Sequence, residues 1–259
     1  NSAAAAQFSM STMFLHWTFT PYGIYTLAGL TFALVYYNLK QPFSLGSLLY
    51  PLIGKHAYGI VGNTIDAVCL FSLVAGMAAS LGSGILTIAG GLNLFADLET
   101  TPFLLGIIAL VIVCTFIISA ASGLMKGIRI LSDLNIKFFF ALCAFVFLFG
   151  PTTFILKFGV ESFGSYLQHF FERSLYTGAS ANDGWANSWT IFYWANWLAW
   201  TPVTALFLGR LAIGYTVKDF IRFNLFYPSL FGCFWMMVFS GSAIYYDFVA
   251  ESGSMNAVL

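Results

Sequence analysis

Six stretches of this chain run for about 20 residues or more without Lys, Arg, Asp or Glu, and their length constrains the fold more than any other feature. About 20 helical residues cross the hydrocarbon core of a bilayer. Only 8% of the residues are charged and 59% are hydrophobic, whereas about a quarter of the residues in soluble domains are charged. The sequence therefore predicts an all-α polytopic membrane protein, with a single transmembrane domain over residues 1–259. The predicted spans cover residues 13–37, 67–96, 102–125, 138–156, 188–209 and 223–246.

The basic residues alternate between the connections. Counted from the amino terminus, the seven segments outside the spans hold none, two, none, three, two, three and none of the Lys and Arg residues. Because cytoplasmic loops are enriched in Lys and Arg, both ends of this sequence are predicted on the outer side of the inner (plasma) membrane. The chain begins with Asn1 and ends soon after its last span, which indicates a piece of a longer protein.

The same composition disfavours several classes of function. The formal net charge is zero and there is no basic run, so a nucleic acid has nothing to bind. A membrane-embedded enzyme would need paired carboxylates, a His cluster or an activated nucleophile at depth, and the spans contain none. The four Cys residues lie in the spans without metal-ligand spacing and are interpreted as small buried apolar residues. No enzymatic activity, cofactor or nucleic-acid partner is therefore predicted.

Between the fourth and fifth spans, residues 161–173 have the pattern of an amphipathic helix. Apolar side chains recur there at i, i+3, i+4, i+7 and i+8. We expect this helix to lie along the membrane surface or to dock on a neighbouring helix. Its apolar face comprises Phe163, Tyr166, Leu167, Phe170 and Phe171.

The fifth span contains FYWANWLAW (192–200), in which large rings surround one amide without any charge. At about 100° per residue, one helical face would present Tyr193, Asn196, Trp197 and Trp200. The two Trp residues of this face would lie roughly 13 to 18 Å inside the span, too deep for the aromatic belt at the membrane surface. Two interpretations stay open: the rings fill space between helices, or their faces bind a cation without an N–H, such as a quaternary ammonium group. Pro202, just past the last Trp, lacks a backbone donor and can break the helix there.

Two stretches also carry a family resemblance. SWTIFYWANWLAWTPVTALFLGRLAIGYTVKDF (188–220) resembles the signature helix and following loop of the betaine/choline/carnitine transporter family, and MFLHWTFTPYGIY (13–25) resembles its second core helix. The resemblance extends over essentially the whole chain. It implies part of a LeuT-like transporter core built from two inverted five-helix repeats, of which this sequence would hold the second to seventh core helices.

The resemblance implies an aromatic box that holds the solute near the bilayer midplane. Two positions depart from the glycine-betaine-type pattern: Tyr22 replaces a Trp and keeps a ring, whereas Asn196 replaces a Trp by an amide. An amide can donate to a carboxylate, an N-oxide or a hydroxyl, which would favour a polar relative of betaine; an interhelical hydrogen bond is the equal alternative. The implied substrate-binding residues are Trp17, Tyr22, Tyr25, Asn196, Trp197 and Trp200.

The coupling ion is left open. The resemblance places one family sodium site at Leu73 and Met77, and neither side chain offers the oxygen ligand that a hard cation needs. Sodium symport, proton symport and solute exchange therefore all remain, and the metal site stays unknown. His16 is the one histidine within a predicted span, and such a residue is more typical of a structural donor than of a proton relay.

The sequence thus predicts a secondary transporter that works by alternating access. Its expected solutes are quaternary-ammonium or related onium compounds of the glycine betaine, choline, carnitine and dimethylsulfoniopropionate type, carried for osmoprotection. The alternatives are a carrier of another amine or amino acid and a structural membrane subunit that transports nothing. The expected partners are the onium solute and the lipid bilayer. Because members of the resembled family often form trimers, a homotrimer with residues 161–173 at its contact is also expected.

Overall fold

The computed structural model describes residues 2–121 and 124–249, and the predicted all-helical fold is confirmed in this range, which contains no β-strand. Short π-helical turns cover Leu34–Asn38, Asn187–Ile191, Arg222–Phe226 and Tyr245–Val249, and 3-10 turns cover Gly46–Leu49 and Gly54–Ala57. The α-helices of the described residues are α1 (Ala3–Trp17), α2 (Phe19–Ala33), α3 (Tyr50–Ile53), α4 (Ile60–Ala96), α5 (Pro102–Ala121), α6 (Leu124–Phe149), α7 (Thr152–Gln168), α8 (Phe170–Ser174), α9 (Phe192–Leu211), α10 (Val217–Ile221) and α11 (Tyr227–Ile244).

Four helical segments within the described residues are long and apolar enough to cross a membrane. Each overlaps one predicted span. The predicted spans 13–37 and 188–209 are not among them, so the count of six spans stays a prediction. Residues 122 and 123, near the end of the predicted span 102–125, lie outside the described residues. The four segments are Ile60–Ala96, Pro102–Ser119, Ile130–Phe149 and Val217–Asp247.

The predicted span 13–37 is two helices and not one, because the chain breaks at Thr18. Pro21 has no N–H to donate to the carbonyl of Trp17 four residues earlier, and its ring would clash with that carbonyl in a continuous helix. Thr18 leaves helical geometry, with φ −119° and ψ −109°, and its hydroxyl donates to the Phe14 carbonyl at 2.5 Å. Backbone carbonyls at the end of α1 are thereby left without their usual helical donors.

The predicted span 138–156 is also interrupted. Helix α6 ends at Phe149, and α7 begins at Thr152. Pro151 explains the interruption, because a proline disfavours helical geometry at the residue before it, here Gly150.

The amphipathic segment predicted at 161–173 does not begin as a separate helix. Its first part continues α7 to Gln168, and its last part forms α8. Tyr166 is buried, and its ring lies 6.1 Å from that of Phe14 on α1, which also meets Phe163 at 5.8 Å. Leu167 and Phe171 of the same predicted face are exposed. One half of the apolar face therefore docks on α1, and the other half points away.

Pro202 does not break its helix. Helix α9 continues through this residue without interruption. The hydroxyls of Thr201 and Thr204 donate to the carbonyls of Trp197 and Trp200 at 2.8 and 2.9 Å. Neither of these is the carbonyl of Leu198, four residues before Pro202, whose helical donor the proline removes.

The described chain forms two compact units, each considered on its own. One comprises residues 7–78 and 160–236, and the other comprises the remaining described residues. In the latter unit α5 packs on α6. On α7, Gly159 lies so close to Met237 that an added Cβ would stand 2.7 Å from its Cγ.

In the former unit, the closest helix pair is α2 with α9. Gly209 permits the contact, since a Cβ on this residue would lie 2.5 Å from Cδ1 of Phe32. Along both helices the numbers of the contacting residues rise in the same direction. Tyr25 contacts Trp197, and further along the chain Phe32 contacts Gly209. The two helices therefore run parallel.

We expect Gly209→Ala to destabilise the protein, because Phe32 is fully buried and has no space to move into. Overpacking of this kind costs about 1–3 kcal/mol. The control is Gly82→Ala on α4, where an added Cβ meets nothing within 4 Å and helix propensity improves by about 1 kcal/mol. Thermal unfolding of the purified full-length variants measures both effects, and equal unfolding temperatures for the two would contradict the proposed close contact.

Candidate functional site

The break between α1 and α2 is joined to α9 by one side-chain hydrogen bond. The indole N–H of Trp197 donates to the backbone carbonyl of His16 at 2.8 Å. This carbonyl belongs to the last turn of α1, where helical donors run out. The bond therefore satisfies two polar groups at once and fixes the orientation of the Trp197 ring.

Around this bond, aromatic rings of α1, α2 and α9 converge. The Trp17 ring meets the rings of Trp197 and Tyr193 edge to face, with centroids 5.0 and 5.5 Å apart. Tyr25 of α2 meets Trp197 in the same manner at 6.4 Å, and Tyr193 stacks on Trp197 at 6.1 Å. Edge-to-face and offset pairs at these distances are favourable. We call Trp17, Tyr25, Tyr193 and Trp197 the inner ring cluster.

Tyr193 lies at the centre of this cluster but is absent from the set of site residues that the sequence predicted. A signal was available, because Tyr193 precedes Trp197 by one helical turn and shares its face. The family pattern on which the set was based does not include this position. The structure therefore adds the Tyr193 ring to the predicted set of rings.

The His16 side chain is enclosed by the protein and contacts two residues that lie at the start of the fifth predicted span. It is fully buried, its Nε2 lies 3.1 Å from the hydroxyl of Thr190, and its ring stacks on Tyr193 with centroids 4.9 Å apart. These contacts favour the interpretation of His16 as a structural residue over that of a proton relay.

The remaining predicted site residues lie at the edges of the inner ring cluster. Tyr22 faces Gly232 of α11, where an added Cβ would stand 3.9 Å from the tyrosine Cε2. Trp200 faces Gly76 of α4, with its Cδ1 3.8 Å from a Cβ added there. Asn196 is half-buried beside Trp197, and no hydrogen bond of its amide is found within the described residues.

The two positions of the implied sodium site differ in their surroundings. Leu73 lines a cavity whose wall also includes Ser44 and Asp66, whereas Met77 is half exposed. Neither Leu73 nor Met77 carries a side-chain oxygen. Among the residues that the structure describes, no group of three or more His, Cys, Asp or Glu side chains could hold a metal ion.

The indole bond generates a stability prediction. Trp197→Phe keeps an aromatic ring but leaves the His16 carbonyl without its donor, and an unsatisfied buried polar group costs about 1–3 kcal/mol. Trp194→Phe is the matched control on the same helix, because Trp194 is 37% exposed and its indole has no hydrogen bond among the described residues. The unfolding temperature of the full-length protein should fall clearly more in Trp197→Phe than in Trp194→Phe. If the unfolding temperature falls equally in both variants, the structural role assigned to this bond is contradicted.

Comparison with known proteins gives a consistent set of relatives. The family model described as "BCCT, betaine/carnitine/choline family transporter" matches residues 1–258. A probable glycine betaine transporter of Desulfitobacterium hafniense (strain Y51) is 33% identical over 254 residues, 98% of this chain and 51% of the relative. An ectoine/hydroxyectoine transporter of Virgibacillus pantothenticus is 33% identical over 257 residues, 99% of this chain and 51% of the relative.

A third relative is the osmo-independent choline transporter of Acinetobacter baylyi (strain ATCC 33305 / BD413 / ADP1), 34% identical over 252 residues, 96% of this chain and 48% of the relative. The chain thus spans about half the length of the curated relatives it matches. The match includes both stretches that carry the resemblance, 13–25 and 188–220, and confirms it. The chain belongs to the betaine/carnitine/choline transporter family.

Proposed function

We propose that the full-length protein is a secondary transporter of small onium solutes, which it holds against the inner ring cluster and carries by alternating access. The convergence of Trp17, Tyr25 and Trp197 beside the break at Thr18 is the observation that supports this proposal most directly. Trp17 is 37% exposed in this chain, so part of its ring surface is open to a ligand.

The chemistry of the cluster fits a cation that has no N–H. The predicted spans 13–37 and 188–209 contain no carboxylate, so a primary ammonium would find no acidic partner there. The faces of aromatic rings attract a desolvated cation by about 0.5–2 kcal/mol each. The indole N–H of Trp197 already has the His16 carbonyl as acceptor, so this ring needs no acceptor from the solute.

Asn196 supports a narrower proposal about the solute. Its amide stands beside Trp197 and finds no hydrogen-bond partner in the described part of the chain. An amide can donate to a carboxylate, a hydroxyl or an N-oxide. We propose that the solute combines an onium group with such an acceptor. Among the relatives, one is named for glycine betaine, one for ectoine and hydroxyectoine and one for choline.

The remaining parts of the proposal concern the whole protein. We propose a LeuT-like core in which this chain supplies the second to seventh helices and the other core helices close the pathway. The proposed location is the inner (plasma) membrane, with both ends of this piece on the outer side. Sodium symport, proton symport and exchange remain the candidate coupling modes. A homotrimer with contacts at residues 161–173 is proposed for the assembly.

One observation favours a second candidate, a membrane subunit that transports nothing. The rings of the inner ring cluster contact one another, and the Trp197 indole is bound within the protein. Both features would also serve packing alone. A carrier of another amine or amino acid is less well supported, because such a solute would need an acidic partner.

Uptake of radiolabelled glycine betaine by cells that express the full-length protein tests the main proposal. Trp17→Leu and Trp197→Leu each remove one ring face, so we expect solute affinity to fall by roughly 2- to 30-fold per ring. Trp194→Leu lies on the same helix outside the inner ring cluster and should transport normally. If uptake by the first two variants equals that of the wild type at matched surface expression, the packing role is favoured instead.

Asn196 is tested by a competition panel of betaine, choline, carnitine, dimethylsulfoniopropionate and trimethylamine N-oxide, each with and without sodium. Asn196→Leu removes the amide and keeps a similar volume. Because a hydrogen bond to a charged acceptor contributes about 1.5–3 kcal/mol, carboxylate and N-oxide solutes should lose at least tenfold in affinity. Choline, which has no anionic group, should lose much less. An equal loss of affinity for every solute of the panel would indicate instead that Asn196 makes an interhelical contact.

A further inference from the structure

The connection between α2 and α4 carries two lysines, one at each of its ends, on the side of the membrane that the charge tally predicts to be cytoplasmic. These residues are Lys40 and Lys55, and both are exposed. The hydroxyl of Tyr58 donates to Oε1 of Gln41, the residue after Lys40. The backbone N–H of Tyr58 donates to the Lys55 carbonyl at 3.1 Å. Tyr58 therefore joins the two ends of the connection and brings both lysine-bearing segments together.

No carboxylate of the connection offsets these two charges, because the connection contains neither Asp nor Glu. Across the described part of the chain, no carboxylate oxygen lies within 4.0 Å of the ammonium group of Lys40 or Lys55. The next acidic residue along the sequence is Asp66 of α4. Its two oxygens accept the Ser44 hydroxyl at 2.7 Å and the Gly46 N–H at 2.8 Å. This end of the protein therefore presents positive charge to its surroundings.

The middle of the connection exposes apolar surface between the two lysines. Leu52 of α3 is 80% exposed, and the rings of Tyr50 and Tyr58 pair nearby, with centroids 5.8 Å apart. The connection packs closely on the start of α4, since a Cβ added to Gly46 would lie 2.7 Å from the Cα of Gly62. Tyrosine rings and lysines around exposed apolar side chains are typical of the layer where lipid headgroups meet hydrocarbon.

An open groove of about 500 Å³ runs along the first turns of α4, directly after this connection. Near the amino terminus of α4 it carries the amide of Asn63, and further along the helix it carries Val68 and Phe71, which are 58% and 74% exposed. The helix rises by about 12 Å between Asn63 and Phe71. Positive charge, an amide and apolar surface therefore follow one another along the chain. We call this the α4 groove; its lining residues are Ile60, Asn63, Thr64, Ala67, Val68 and Phe71.

We propose that the connection and the α4 groove together bind one anionic phospholipid of the cytoplasmic leaflet. Lys40 and Lys55 attract its phosphate, the Asn63 amide donates to an ester oxygen, and an acyl chain lies along Val68 and Phe71. The lipid is anionic because a zwitterionic headgroup offsets its phosphate with its own ammonium group, so two lysines gain less from it. Lysines in a cytoplasmic connection are expected for topology alone. Their junction through Tyr58 beside an apolar groove is what indicates a lipid.

The first test measures lipid binding at this place in the full-length protein. A bimane fluorophore attached through Val61→Cys, in a background whose other cysteines are replaced, stands next to the α4 groove without lining it. Quenching by brominated phosphatidylglycerol in phosphatidylcholine bilayers gives the binding constant of the first lipid relative to the second, which should exceed one. The double variant Lys40→Gln/Lys55→Gln should lower this constant by about fivefold per lysine removed. An unchanged constant would overturn the proposal.

The matched control is Lys137→Gln/Lys218→Gln, which removes two exposed lysines from other segments predicted on the cytoplasmic side. This variant should keep the wild-type constant. An equal fall in both double variants would show a general effect of surface charge and contradict the site. Inorganic phosphate at constant ionic strength should not displace the lipid, because it has no part that fits the apolar end of the groove. Displacement by inorganic phosphate would identify a site for a soluble anion and overturn the lipid.

A second measurement asks whether the α4 groove faces lipid in the full-length protein. A nitroxide attached through Val68→Cys should collide with molecular oxygen and not with a water-soluble nickel chelate, as should one attached through Val111→Cys on α5, which is 59% exposed. If the nitroxide at position 68 meets neither reagent while the one at position 111 meets oxygen, other core helices cover the groove and the proposal fails. Neither measurement uses a transported solute, so both outcomes are independent of the proposed function.

Discussion

The hydrogen bond from the Trp197 indole to the His16 carbonyl is the interaction on which the arrangement of the site depends. Pro21 disrupts the helix at Thr18, and a carbonyl left without a donor in a membrane costs several kcal/mol. The indole N–H of Trp197 donates to the His16 carbonyl, and this one contact satisfies both groups. The Trp197 ring is therefore fixed in orientation, and Trp17 and Tyr193 pack against it.

The parallel contact between α2 and α9 places the remaining rings relative to that bond. Gly209 lets the helices approach closely enough for Tyr25 to reach Trp197. A larger residue at position 209 would collide with the buried Phe32, so the close approach and the ring geometry are coupled. Helix packing and the proposed binding surface thus depend on the same few side chains.

The inner ring cluster carries no charge of its own, because it lies in segments that hold no carboxylate. Isolated charges are costly inside a membrane. Aromatic ring faces attract a desolvated cation without adding such a charge.

The sequence by itself determined the helical class, the apolar spans and the shared face of Tyr193, Trp197 and Trp200, because hydropathy and a period of 3.6 residues are local properties. The family followed from the resemblance of residues 13–25 and 188–220. The sequence did not determine what two prolines would do: Pro21 breaks its helix and Pro202 does not. The structure shows the difference: at the break before Pro21 the Trp197 indole of another helix donates to the His16 carbonyl, whereas α9 continues through Pro202. It also decided that Trp200 faces Gly76 while Tyr193 joins the inner ring cluster. Periodicity fixes the direction of a side chain about its own helix axis, and only packing fixes which helix stands in that direction.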